Sequence, residues 1–295
     1  MNDDTVQSYK EAGRIASELR DWGASQIEIG GSMQYILDEI ETRINDHDDA
    51  MPAFPPQISV NDVAAHFYPD EDDYEFKGGD LCKLDVGVAV NGYIADTATT
   101  VDLGDHDDLV SGAEAALEAA LNVVDKDASL GEIGAAIESA VSEHGVRPIT
   151  NLSGHGLERF DAHTPPTVPN LDNGNENTVG DDVAFAIEPF TTDGAGDVYE
   201  GEDATVFEQV GDGNARNKIV RKVLSQIKSF EGLPFATKWV AEEHGWQKTR
   251  YALRELHRLD IVKGYPPLKE RQGGQVAQAE HTVIIDDSEV TVTTK

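Results

Sequence analysis

Residues 81–101 read LCKLDVGVAVNGYIADTATTV, the clearest local structural signal in the chain. Two valine- and threonine-rich runs flank Asn91-Gly92, a dipeptide that strongly favours a two-residue hairpin turn. A hairpin centred on this turn places Asp85 and Asp96 on the same face as diagonal neighbours, about 7 to 8 Å apart at the backbone. The sequence therefore predicts an antiparallel sheet with two carboxylates on one face.

The opposite face of this hairpin is apolar and is expected to pack against the core; it carries Cys82, Leu84, Val86, Val88 and Val90. Carboxylates on such a sheet need a counter-charge, because burying each one unpaired costs several kcal/mol. A pair of metal ions would supply that charge. The alternative is an ordinary solvated face, on which strand aspartates are common.

Apolar residues at helical spacing predict two pairs of helices, each followed by strands. In the first pair, a capping box of Ser25 and Glu28 is expected to open the second helix. In the second pair, Ser129 and Glu132 form the same motif before a helix at residues 130–143. This repeated order suggests two similar halves. The proline-rich segment after the first pair, residues 50–69, is expected to be a loop with one short extended part.

Two histidines and two glutamates further along could complete a metal site. His155 and His163 lie eight residues apart in a predicted loop, and glycines on both sides of His155 permit a sharp turn. Glu188 ends one predicted strand, and Glu280 lies within another at residues 275–285. Each glutamate interrupts an uncharged run, as the aspartates do in the hairpin.

The composition indicates a folded acidic protein. The 295 residues include 56 acidic and 23 basic side chains, for a net charge of -33. Because apolar periodic segments are frequent, the interpretation is a folded protein from a high-salt cytoplasm, where screening weakens self-repulsion. A single cysteine excludes a disulfide framework within the chain. Neither a signal peptide nor a membrane span is expected, so the prediction is a soluble cytoplasmic protein.

Residues 196–268, hereafter the insertion, differ from the rest of the chain. Three helical patterns and a short strand at its end resemble a winged helix inserted into a main domain of residues 1–195 and 269–295. Residues 213–263 contain eleven basic and five acidic side chains. This excess predicts a face that meets an anionic partner such as ribosomal RNA. Local charge balance within the helices is the alternative.

Seven residues together match the metal-binding and catalytic pattern of methionine aminopeptidases: Asp85, Asp96, His155, Glu188 and Glu280, with His66 and His163 beside them. The resemblance extends over nearly the whole chain. Its motifs also include Asn61–His66, Glu188-Pro189-Phe190 and Ala279–Thr282, in the family's order. The insertion before Glu280 is similar to that of the type II branch.

The resemblance implies an α+β pita-bread fold with two pseudo-twofold halves, and removal of the initiator methionine before a small second residue. Four carboxylates and His155 would hold two divalent ions, of Co, Mn, Fe, Zn or Ni. Glu188 would transfer the proton of the attacking water, while His66 and His163 would steady the substrate carbonyl. A monomer that acts on methionyl peptides of nascent proteins is expected.

The family's methionine pocket maps onto Phe54, His66, Phe190 and Tyr265. Ala162 stands where the family usually has a larger aliphatic residue, which predicts a roomier pocket. Two alternatives remain: an Xaa-Pro peptidase of the same fold, and a non-catalytic relative that binds RNA or ribosomes.

Overall fold

The computed structural model describes residues 1–201 and 203–295, which fold into helices and short strands. The helices are α1 (Asp3–Gln26), α2 (Met33–Asn45), α3 (Asp107–Val123), α4 (Leu130–Glu143), α5 (Lys218–Ile227), α6 (Thr237–His244) and α7 (Trp246–Arg258). The strands are β1 (Ala50–Pro52), β2 (Gln57–Val60), β3 (Val63–Ala65), β4 (Leu81–Val90), β5 (Tyr93–Asp102), β6 (Arg147–Pro148), β7 (Ser153–Glu158), β8 (Asp161–Pro169), β9 (Val183–Ile187), β10 (Phe190–Thr192), β11 (Val198–Glu200), β12 (Val206–Gln209), β13 (Phe235–Ala236), β14 (Val262–Tyr265), β15 (Leu268–Glu270), β16 (Val276–Gln278), β17 (His281–Asp286) and β18 (Glu289–Val292).

The predicted hairpin is formed by β4 and β5, and its register is confirmed. Asp85 lies opposite Ala98, and Asp96 lies opposite Gly87. Strands β1 and β2 both pair with the other edge of β4. The prediction of a loop at residues 50–69 was therefore wrong in part, since the segment supplies β1, β2 and β3. Its prolines lie at the end of β1, before β2 or in the loop after β3, where a missing N–H is tolerated.

A second sheet runs in the order β18-β17-β9-β7-β8 and carries the histidines. The segment from His155 to His163 is a hairpin of β7 and β8, not the predicted loop. The predicted strand at 275–285 is also two strands, because the chain leaves one sheet after β16 and joins another at β17. Glu280 lies at this break.

The break at Glu280 faces a matching one between β9 and β10. There Glu188-Pro189 interrupts the chain, and the Pro189 oxygen accepts a hydrogen bond of 3.2 Å from the Ala279 N–H. Each strand thus changes sheets beside a glutamate. A residue at such a change is not constrained by strand pairing on both sides, so its carboxylate can turn toward the centre of the molecule.

The two helix pairs cover the two sheets in the same way. Helices α1 and α2 pack on the apolar face of the β4–β5 hairpin, and α3 and α4 pack on the second sheet. The turns before β4 and β9 also match, since Gly79 and Gly180 both have a positive φ, 94° and 91°. This arrangement agrees with the predicted pair of similar halves.

Of the two predicted capping boxes, the one before α4 is confirmed by reciprocal Ser129 and Glu132 hydrogen bonds. The one at Ser25 was wrong, because α1 continues to Gln26 and the Ser25 hydroxyl donates to the Trp22 oxygen at 2.6 Å. Ser32 caps α2 instead, accepting a hydrogen bond from the Tyr35 N–H. A glycine turn separates the two helices, so the cap lies seven residues later than predicted.

Three helices of the insertion, α5 to α7, enclose an apolar core of their own beside the three-stranded sheet β13-β12-β14. Val206 and Ala236 of this sheet also contact the core under α1 and α2. An ion pair between Lys238 and Asp38 joins α6 to α2. Strands β11 and β15, at the ends of the insertion, pair with each other, and β15 also pairs with β3.

Among the described residues, the helices are too short or too polar to cross a membrane.

Candidate metal centre

All ten predicted site residues line one cavity of about 220 Å³ between the two halves. Asp85 and Asp96 come from the hairpin, His155 and His163 from β7 and β8, and Glu188 and Glu280 from the two strand breaks; Phe54, His66, Phe190 and Tyr265 complete the wall. Residues up to 226 positions apart in the chain thus meet around one space. The cavity has a carboxylate side and an aromatic side.

The carboxylate side is held by hydrogen bonds between β5 and the second sheet. The Thr282 hydroxyl accepts from the Asp96 N–H at 2.7 Å and donates to the Asp96 backbone oxygen at 2.8 Å. The Thr97 hydroxyl donates to the backbone oxygen of Glu280 at 2.8 Å. Because these bonds join backbone positions next to both carboxylates, the two side chains are fixed relative to each other.

One ligand atom each from Asp96, His155 and Glu280 lies within 4.8 Å of the others. His155 Nε2 is also 3.6 Å from a Glu188 carboxylate oxygen and 3.8 Å from an Asp96 oxygen. None of these separations is a hydrogen bond. They leave room for a cation among the ligand atoms.

The electrostatics of the site favour such a cation. Burial raises the pKa of Asp85 to about 7. The pKa values of Asp96, Glu188 and Glu280 are raised by burial first and then by repulsion from neighbouring carboxylates. Burial lowers the pKa of His155 to about 3, so its imidazole is neutral and can act as a ligand.

Three buried oxygens give the test of fit. Within the described part of the chain, Asp85 Oδ1, Asp96 Oδ1 and Glu280 Oε1 have no hydrogen-bond partner. Buried carboxylate oxygens without donors are costly unless a cation binds them. Several carboxylates and one imidazole are also the donor set that divalent transition metals accept. The residues of this site therefore fit metal ions.

His66 and His163 line the same cavity as the proposed metal ligands. His66 has a left-handed φ of 62° and meets the Tyr265 ring edge-on at 5.5 Å. His163 lies 4.4 Å from the His155 ring and is more exposed than the other two histidines. Burial, and then the nearby His163, lower the pKa of His66 to about 4. The backbone of Pro266, which accepts a hydrogen bond from the ring, opposes this fall in pKa, and His66 is neutral at pH 7.

The aromatic side depends on the absence of a side chain at Gly87. A Cβ atom there would lie 2.2 Å from Cε1 of Phe54, so glycine lets this ring approach β4 closely. Ala162 does not belong to the cavity wall, as far as the described residues show. It is buried with Leu157 and Ala186 in the core behind the β7–β8 hairpin. Its small size therefore affects packing behind the site and not the cavity wall.

Several polar residues near the site were missed by sequence reasoning, among them Gln57 and Asn170. Gln57 lies opposite Asp85 and lines the cavity, with only 6% of its surface exposed. Asn170 is fully buried and donates to the backbone oxygens of Leu152 and Glu188 at 3.2 and 3.1 Å. The alternation Gln57-Ile58-Ser59-Val60 could have identified β2, whereas nothing local marks Asn170.

Comparisons with known proteins agree with this geometry. Residues 7–287 match metallopeptidase family M24. The chain is 39% identical to the methionine aminopeptidase of Archaeoglobus fulgidus over the full length of both chains. It is 41% identical to that of Pyrococcus horikoshii, over 98% of this chain and 99% of the relative.

Solved structures share the fold at low identity. A thermophilic Arx1 has a TM-score of 0.86 at 15% identity and covers 99% of this chain and 91% of its own. The methionine aminopeptidase of Rickettsia prowazekii has a TM-score of 0.71 at 21% identity, over 100% and 98% of the two chains. The predicted α+β pita-bread fold is confirmed by these similarities. The chain belongs to metallopeptidase family M24.

Proposed function

We propose that this protein is a metal-dependent aminopeptidase that removes N-terminal methionine from nascent proteins with a small, uncharged second residue. The observation that carries the proposal is the single cavity in which four carboxylates and a neutral imidazole face an aromatic wall. Methionine aminopeptidases are also the relatives that the chain matches over its whole length.

Five side chains would hold two divalent ions: Asp85, Asp96, His155, Glu188 and Glu280. Three of their buried oxygens lack a partner in the described part of the chain, and these oxygens and the neutral imidazole support this assignment. The candidate ions are Co, Mn, Fe, Zn and Ni, all compatible with an oxygen-rich site that includes one imidazole. When bound, such ions lower the pKa of water and polarise a carbonyl oxygen.

The protein groups divide the remaining work. Glu188 accepts the proton of the attacking water and returns it to the leaving amine. His66, neutral because burial depresses its pKa, steadies the substrate carbonyl without adding charge. His163, at the more open side of the cavity, steadies the charge that develops on that oxygen.

The aromatic side supplies the selectivity for methionine. Phe54 and Phe190 are buried, and Tyr265 closes the wall next to His66. Aromatic edges and faces suit a flexible, polarisable thioether, which fills irregular apolar space well. The second residue of the substrate must be small, because the same cavity must also admit the peptide bond between the histidines and the carboxylates.

Peptide turnover after chelation and readdition of each metal tests this function. Met-Ala-Ser should be cleaved only with metal, and Glu188→Gln or His66→Ala should lower kcat/KM by roughly 10²- to 10⁴-fold. Glu114→Gln, a change of an exposed glutamate, is the control. Faster cleavage of Xaa-Pro peptides would favour the proline-directed alternative. Absence of cleavage with every metal would favour a non-catalytic relative.

We further propose that the insertion is a winged-helix-like subdomain whose basic face meets ribosomal RNA. Lys218, Arg221 and Lys222 of α5 and Arg254 and Arg258 of α7 are all exposed. Cosedimentation with ribosomes should weaken steeply with salt and weaken further in Lys222→Glu.

We also propose that the protein acts as a monomer in the cytoplasm of a halophile, to which its charge of -33 is suited. Light scattering tests whether it is monomeric.

A further inference from the structure

We propose that a second cavity, beside the metal centre, binds the basic side chain of an arginine or lysine at one of positions three to six of the substrate. This inference rests on the proposed peptidase function. The cavity, of about 300 Å³, lies between α2 and the insertion. Its wall includes Glu41, Glu242, Gln226, Phe230, Trp239 and Pro234.

Among the described residues, the wall contains one buried acceptor without a donor, Gln226 Oε1, and one buried donor without an acceptor, Trp239 Nε1. The Gln226 amide is oriented by its Nε2, which donates to the Trp239 backbone oxygen at 3.0 Å. Its Oε1 is buried in the wall of the cavity and, among the described residues, has no partner. A ligand that donates hydrogen bonds would satisfy this oxygen.

The negative charge of the cavity is also poorly compensated. Glu41 accepts a hydrogen bond of 2.9 Å from the Tyr68 hydroxyl, and the nearby Trp239 indole N–H also favours its ionised form, but neither of these groups carries a charge. Lys238, the base on the adjoining helix, pairs with Asp38 instead and lies 4.0 Å from Glu242. Burial accordingly raises the pKa of Glu41 to about 7. A cation in the cavity would remove this penalty.

The residues of the cavity wall indicate which kind of cation fits. Phe230 and Trp239 present aromatic rings, and Met51, Pro52, Leu233 and Pro234 are apolar. A guanidinium or alkylammonium group can lie on aromatic faces while its methylene stem covers apolar surface. A bare metal ion would instead prefer several oxygens in a regular shell. An anion would be repelled by both carboxylates. The cavity therefore suits an organic cation.

The position of the cavity identifies the source of that cation. Pro234 lines both this cavity and the metal-centre cavity, so one residue forms a shared wall. An extended peptide advances about 3.3 Å per residue. A peptide with its amino end at the metal ligands can therefore carry a side chain past Pro234 within a few residues. A basic residue at one of substrate positions three to six would reach the second cavity.

Two measurements test the site and its source, both in 2 M KCl to screen the general attraction of the acidic protein for cations. Calorimetric titration with agmatine, an alkylguanidine, should show binding that Glu41→Gln weakens roughly tenfold or more. Glu39→Gln, on the same helix but outside the cavity wall, should bind as the wild type does. Glu242→Gln, at a side chain that is 66% exposed, provides a second variant if Glu41→Gln fails to fold.

The second measurement is kcat/KM for Met-Ala-Ser peptides in which arginine or its neutral isostere citrulline is scanned through positions three to six. At one position arginine should be preferred roughly fivefold or more through a lower KM, and Glu41→Gln should abolish that preference. If agmatine binds but arginine and citrulline peptides have equal kcat/KM at every position, the ligand is not a side chain of the substrate but a free amine. Agmatine binding that is absent, or unchanged in Glu41→Gln and Glu242→Gln, would overturn the site. Failure to cleave any methionyl peptide would instead contradict the proposed peptidase function, and the peptide source with it.

Discussion

Asn61 and Asp80 are joined by a side-chain hydrogen bond of 3.2 Å, which ties the segment that leads to His66 to the beginning of β4. The Asn61 Oδ1 also accepts from the Leu81 N–H at 2.9 Å, and the buried Lys83 ammonium donates to the Asn61 backbone oxygen at 3.0 Å. Asn61 itself has a left-handed φ of 58°. The strand that carries Asp85 thus positions His66 as well.

Replacing Asn61 by alanine should loosen this connection. Two side-chain hydrogen bonds are lost and a β-carbon is forced into the left-handed region, so we expect a loss of about 2 to 4 kcal/mol of unfolding free energy. The value of kcat/KM should fall because His66 is no longer held. Asn61→Gly keeps the backbone conformation and should recover about 1 kcal/mol. If urea unfolding shows equal losses of unfolding free energy in both variants, the left-handed backbone conformation contributes nothing to the effect of Asn61→Ala.

Asp96→Asn should have opposite effects with and without metal. The folded-state pKa of Asp96 is raised, so its contribution is favourable at low pH and is lost as pH rises above the unfolded value of about 4. In chelator at pH 8, the variant should therefore melt higher than the wild type. With saturating metal the wild type should gain more stability, since it binds the ions more tightly. Exposed Asp105→Asn is the control; the same order of melting temperatures in both conditions would contradict the metal assignment.

Gly87→Ala should narrow the methionine pocket. The added methyl group would collide with the Phe54 ring at 2.2 Å and push it toward the cavity. We expect KM for methionyl peptides to rise roughly tenfold, with a loss of about 1 to 3 kcal/mol from strained packing. Gly78→Ala, whose new methyl group would meet only Ile29 at an ordinary 3.5 Å, serves as the matched control. An unchanged KM in Gly87→Ala would show that Phe54 does not line the methionine pocket.

Glu41 should make stability depend on pH. Burial raises its folded pKa to about 7, with Asp38 raising it and Lys238, Tyr68 and Trp239 opposing the rise. The protonated form is favoured in the fold, so its stabilising effect is complete below pH 4 and is lost between pH 4 and 7 as the carboxyl ionises. Glu41→Gln should lose less stability over this interval, by about 1 to 3 kcal/mol. If the unfolding free energies of variant and wild type change in parallel with pH, the pKa of Glu41 is not raised in the fold.

The melting temperature should rise with salt. With 56 acidic and 23 basic residues, self-repulsion destabilises the compact state in dilute buffer, and the Debye length falls from about 10 Å at 0.1 M to about 3 Å at 1 M. Most of the gain between 0.1 and 2 M KCl should therefore occur below 1 M. Thermal scans in KCl and in equimolar sucrose separate screening from solute exclusion. A flat response to KCl would contradict adaptation to high salt.

Much of the site could be predicted because its cause is local. The Asn91-Gly92 turn and the period-two alternation on either side of it determine the register of β4 and β5, and with it the shared face of Asp85 and Asp96. A register shift of one residue would expose the valine face, which makes this pairing strongly specified. Charged residues in apolar strands likewise identified Glu188 and Glu280.

Only the tertiary structure decided where the strands change partners and what lies behind them. The breaks at Glu188-Pro189 and Ala279-Glu280 depend on each other across 90 residues, through a bond that no local pattern encodes. Ala162 faces the core behind the hairpin, and Gln57 joins the cavity because β2 pairs with β4. Turns and alternation are short-range and are determined by neighbouring side chains, whereas sheet changes and cavity walls depend on packing between segments that are distant in sequence.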